Sequence, residues 1–143
     1  VILYLDTSAL LKIYLDEPGT ARVKLAVAEA ETTATSEITY VELCAALARR
    51  NRGGDISQTA YRRTLADIDE DAKRLMYLDV SRHVLRAAAD AAATYTLRAY
   101  DALHLASALE LQTRSGKSIT FGCWDVTLRA AATKARLKTL SHD

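Results

Sequence analysis

Four acidic residues carry the chemistry this sequence offers. Asp6 directly follows the continuous apolar run Val1–Leu5, and Asp125 follows Ser118–Phe121 and precedes a helical pattern. Asp101 opens the apolar-faced segment Asp101-Ala102-Leu103-His104-Leu105, and Glu42 shares a helix face with Ile38, Ala45, Ala46 and Arg49. Each has an ordinary structural explanation. Asp6 and Asp125 are natural N-caps, Asp101 in a first helical turn suits the helix dipole, and Arg49 can satisfy Glu42. Thr7 and Ser8, however, can cap the first helix in place of Asp6 and leave its carboxylate free. Taken jointly, carboxylates brought close together repel and resist ionisation, a conflict that a bound divalent cation removes. Donors that are all carboxylate oxygen favour Mg²⁺ or Mn²⁺ over Zn²⁺. Such ions polarise a phosphoryl oxygen and generate hydroxide from bound water, which suits phosphodiester hydrolysis with one ion or with two.

Positioning those acids requires strands that alternate with helices. Strands are predicted at Val1–Leu5, Thr32–Thr35, Leu75–Val80 and Ser118–Phe121, with a further edge strand at Arg136–Leu140. Helices are predicted at Ala9–Leu15, Thr20–Ala30, Ser36–Arg52, Ser57–Lys73, Arg82–Thr96, Ala99–Thr113 and Val126–Lys134. Gly53-Gly54 makes a helical hairpin of the third and fourth. Alternation of this kind gives an α/β fold, a mostly parallel sheet of four to five strands with helices on both faces. In such sheets ligands gather beyond the carboxyl ends of the strands, where Asp6 and Asp125 fall.

The 143 residues are 50% hydrophobic and 26% charged with one proline, the balance of one compact domain over 1–143 and not of a disordered chain. A net charge of +1 neither demands nor excludes nucleic acid, because local patches decide binding. Cys44 and Cys123 have no C-x-x-C spacing and read as buried small hydrophobes. Asp6 and Lys12 interrupt the apolar opening, so no membrane span is expected and a cytoplasmic, soluble protein is.

The stretch Leu3-Tyr4-Leu5-Asp6-Thr7-Ser8-Ala9-Leu10-Leu11-Lys12 resembles the opening motif of PIN-domain nucleases. Ser36 through Glu42 resembles their second motif, Asp101-Ala102-Leu103-His104-Leu105-Ala106 the third, and Trp124-Asp125-Val126-Thr127-Leu128 the fourth. The motifs occur in order over essentially the whole chain, whose short length is most similar to the VapC toxins of type II toxin–antitoxin pairs. This resemblance implies a three-layer α/β/α PIN-like domain with a projecting helical hairpin, and Mg²⁺-dependent endoribonuclease activity. It also implies a homodimer and a VapB-type antitoxin. By the same carry-over Asp6, Glu42, Asp101 and Asp125 form the acidic metal site, Thr7 supplies a hydroxyl near it, and Ser36 orients Glu42 or a water. Cys123 stands where the fourth motif usually has Thr or Ser.

Around this site Lys12, Arg49 and Arg98 are candidate RNA-binding residues, with Arg50, Arg52, Arg62 and Arg63 nearby in sequence. Solvated helix faces account for them equally. His104 faces the same way as Asp101 and reads as a buried support, with a ligand or proton carrier as the alternative. Trp124 packs in the core or stacks on a base. Besides the toxin ribonuclease, the residues admit a non-catalytic RNA-binding or regulatory PIN module, and a PIN nuclease outside any toxin–antitoxin pair.

Overall fold

The computed structural model describes residues 1–143 and is organised around a five-stranded, all-parallel sheet. Its central strand β1 (Ile2–Leu5) is the continuous apolar run, buried along its length. On one side lie β2 (Thr32–Ser36) and then β3 (Met76–Leu78); on the other lie β4 (Ile119–Gly122) and then β5 (Lys138–Thr139). Tyr4 pairs in register with Ala34 of β2 and Phe121 of β4, so the ends of β1 and β4 leave the sheet side by side. The edge strand expected at Arg136–Leu140 is β5, confined to Lys138–Thr139.

Period-two alternation divides β1 between two cores. Leu3 and Leu5 face α1 (Thr7–Tyr14), α2 (Thr20–Glu29), α3 (Ile38–Arg52) and α4 (Gln58–Asp71), through Leu10, Val23, Leu43, Leu47 and Ile68. Ile2 and Tyr4 face α5 (Arg82–Tyr95), α6 (Ala99–Ser115) and α7 (Val126–Lys134), through Val84, Ala88, Leu105 and Leu128. The result is the three-layer α/β/α arrangement. The α3–α4 hairpin seats its base on this core, while its Gly53-Gly54 tip is exposed. No helix is long and apolar enough to cross a membrane.

Two boundaries differ from expectation. Asp6, and not Thr7 or Ser8, is the N-cap of α1, because its extended backbone and short carboxylate reach the Ala9 N–H. Ser36 ends β2 instead of starting α3, and its hydroxyl accepts from the Ile38 N–H at 3.2 Å across the turn between them. Both cysteines are free; Cys123 is buried and Cys44 half-buried.

Candidate active site

Asp6 lies at the carboxyl end of the central strand and is 4% exposed. Its N–H donates to the Gly122 carbonyl at 3.1 Å, which carries the β1–β4 pairing up to the acid. Its Oδ1 accepts from Ser8 Oγ at 2.7 Å and from the Ala9 N–H at 2.9 Å. Both bonds fall on one oxygen, so Oδ2 is free of protein donors. Burial is the largest influence on this carboxyl and lifts it from 3.8 to about 6; the Asp101 charge adds to the rise, while His104, Ser8 and the Ala9 N–H oppose it. A carboxylate so reluctant to ionise has reason to meet a cation.

Glu42 projects from α3 toward the same end of the sheet. Its Oε1 accepts from Thr7 Oγ1 at 2.6 Å and faces His104 Nε2 at 2.9 Å. Burial pushes Glu42 up, but the His104 and Thr7 hydrogen bonds outweigh it and hold the group below its usual value. His104, only 2% exposed, places Nδ1 2.9 Å from the Tyr4 hydroxyl. An ionised carboxylate has no proton to give, so Nε2 donates to Glu42 and, in a neutral ring, Nδ1 accepts from Tyr4. The expected alternative partner, Arg49, is not bonded to Glu42; it is exposed at the far end of α3.

Asp101 stands in the first turn of α6 and Asp125 caps α7, accepting from the Leu128 N–H through Oδ2 at 2.8 Å. Arg98 spans the two. Its Nε donates to Asp101 Oδ2 at 3.0 Å, and its guanidinium lies 3.7 Å from Asp125 Oδ1. With the acids held in this way, no three His, Cys, Asp or Glu side chains are grouped to hold a metal ion between them. The donor chemistry nevertheless fits a hard divalent ion. All four acids offer carboxylate oxygen, and in Asp6 and Glu42 the protein's donors gather on one oxygen and leave the other open.

Lys12 is not on an exposed rim: it is 7% exposed, paired to Glu17 at 3.1 Å, and 4.9 Å from the Trp124 ring centroid. Burial of a long cation at this point is made tolerable by that acid and that ring. Ser36 is fully buried and spends its hydroxyl on the α3 turn, not on Glu42. Trp124 stacks on His142 with centroids 4.1 Å apart, and His142 Nε2 lies 3.0 Å from the Cys123 carbonyl oxygen. Two roles were missed in the sequence. Ser8 ties the Asp6 turn to the Asp125 loop, since its Oγ also accepts from the Trp124 N–H at 3.1 Å. Tyr4 anchors His104 from beneath; its one signal was a phenol in an otherwise aliphatic buried strand.

Acids at the carboxyl edge of a parallel sheet, on an α/β/α frame, define a class, and the chain belongs to the PIN-domain family: the PIN domain family model matches residues 3–122. Among curated proteins it is similar to Ribonuclease VapC47 of Mycobacterium tuberculosis (strain CDC 1551 / Oshkosh). The two are 29% identical over 135 residues, covering 87% of this chain and 92% of that one. Among solved structures it is similar to VapBC-1 from nontypeable Haemophilus influenzae, with a TM-score of 0.69 and 18% identity over 99% of this chain and 98% of that one. It is also similar in fold to a toxin–antitoxin complex from Klebsiella pneumoniae, at a TM-score of 0.59 and 15% identity over 82% and 83% of the two chains.

Proposed function

We propose that this protein is a Mg²⁺-dependent endoribonuclease, the toxin of a type II toxin–antitoxin pair, with Mn²⁺ able to replace Mg²⁺. The observation that carries the reading is Asp6. Its buried carboxylate, lifted to about 6, presents an open oxygen at the carboxyl end of the central strand, where it feels the Asp101 charge. A PIN-family chain with this residue arrangement, similar to a protein named as a ribonuclease, supports hydrolysis of RNA over a purely structural role.

Asp6, Asp101, Asp125 and Glu42 would hold the ion. When bound it supplies Lewis-acid polarisation of the phosphodiester and a more acidic water. The chain's own part is positional. Ser8 and the Ala9 N–H fix the Asp6 rotamer, and Thr7 and His104 hold Glu42 through Oε1 and leave its second oxygen free of protein donors. Arg49 at the exposed end of α3 would attract phosphate. The partner would be a VapB-type antitoxin and the working form a cytoplasmic homodimer, as the resemblance of the sequence motifs implies; the similar Klebsiella pneumoniae structure is named a toxin–antitoxin complex.

Purified protein incubated with single-stranded RNA tests this. Cleavage with Mg²⁺ that stops on chelation, and is suppressed by the product of an adjacent small antitoxin gene, is the expected result. Arg98 across Asp101 and Asp125 favours one competitor, a PIN module that binds RNA without cutting it. Tight RNA binding with no metal-dependent turnover would establish that reading instead.

A further inference from the structure

Arg98 is the only Lys or Arg paired with any of the four acids. It immediately precedes α6 with an extended backbone, φ −66° and ψ 157°, and its side chain makes no cap bond to that helix. The side chain instead lies across Asp101 and Asp125, contacting Asp101 Oδ2 at 3.0 Å through both Nε and a terminal nitrogen. The oxygen it approaches on Asp125 is Oδ1, which is the one left over after Oδ2 accepts the Leu128 N–H. A metal using Asp101 and Asp125 would need the same space and the same charge. We propose that Arg98 is the resident counter-cation of the Asp101–Asp125 pair, and that a divalent ion binds by displacing it, so that Arg98 sets the metal affinity of the site. This rests on the reading of the acids as a metal site.

Three observations make the exchange physically reasonable. First, the Arg98 side chain is 81% exposed, so its pairing is screened by water and easily given up. Second, the acids are more sheltered than the arginine, at 18% and 34% exposure, so a small ion reaches oxygens that the guanidinium only straddles. Third, Asp6, which feels the Asp101 charge, has no such cation of its own and keeps an open oxygen. A divalent ion carries twice the charge of the guanidinium that it would replace at Asp101 and Asp125. The guanidinium, once displaced, swings on its long stem into solvent without disturbing α6, because no helix bond depends on it.

The sign of the effect separates this role from that of a ligand or a fold support. Mg²⁺ and Mn²⁺ titrations by calorimetry, on RNA-free protein, compare wild type with Arg98→Gln, Arg98→Lys and Asp101→Asn. Arg98→Gln is expected to bind either ion roughly three- to tenfold more tightly, since a competing charge a few Å away is gone. Arg98→Lys, which keeps charge and loses the planar fork, falls between wild type and Arg98→Gln, and Asp101→Asn binds more weakly than wild type. Unchanged or weaker binding by folded Arg98→Gln, with wild type binding normally, overturns the counter-cation role and leaves the metal site standing. Absence of any binding by wild type and Arg98→Gln alike overturns both.

Discussion

At the residue scale the buried Asp6 carboxylate is a charge kept against its own solvation. Its folded value of about 6 lies above the ordinary 3.8, so the folded state holds the proton more tightly than the unfolded one. Stability contributed by this group therefore rises as pH falls from about 6 toward 3.8, and above 6 the cost of the buried charge is fully present. Asp6→Asn keeps the Oδ1 acceptor for Ser8 and the Ala9 N–H while removing the charge. In urea denaturation without metal the variant is expected to be more stable than wild type at pH 8 by roughly 1–3 kcal/mol, the difference closing near pH 4. Equal stability at pH 8 would mean that Asp6 is better solvated than its burial implies. The same acid that weakens the empty fold is the one proposed to serve the reaction, a familiar trade between stability and activity.

At the scale of elements, the sequence made some things legible and hid others for identifiable reasons. Val1–Leu5 read as a central strand because a strand covered on both faces is apolar without alternation, and Asp6 followed at its carboxyl end. The helix carrying Asp101 was equally plain from its apolar face. The choice of cap was not, because Asp6, Thr7 and Ser8 all cap well and only the backbone at Asp6 decides among them. Lys12 looked like a surface cation, since nothing local shows that Glu17 and the distant Trp124 enclose it. The Tyr4–His104 bond joins residues 100 positions apart, and the pairing of Arg98 with Asp125 likewise depends on α6 packing beside β4 and α7. The hairpin illustrates how an element positions a site at a distance. Leu47 on α3 is fully buried against the α1 side of the sheet. Leu47→Ala should cost about 2–5 kcal/mol in chemical denaturation. Glu42 retains Thr7 and His104, so the folded variant should bind Mn²⁺ with unchanged affinity; a large loss of affinity would show that α3 placement depends on this contact.

At the scale of the whole molecule, a net charge of +1 means that RNA cannot be held by overall attraction. The proposed RNA binding would have to depend on a few local cations, and the structure separates those that are exposed from those that are not. Arg49 is exposed, whereas Lys12 is buried and paired. Log–log plots of RNA affinity against salt should lose about 0.7 in slope on Arg49→Ala, one phosphate contact, and should not change on Lys12→Met in folded protein. The reverse order would relocate the RNA path. The central claim is that the four acids work as one divalent-ion site for RNA hydrolysis. Its most direct test is the single-turnover RNA cleavage rate with Mg²⁺, compared among wild type, Asp6→Asn and Asp101→Asn, each verified as folded. The account predicts cleavage by wild type that falls about 100-fold or more in either variant. Full activity in both variants, or wild-type cleavage indifferent to chelation, would contradict it.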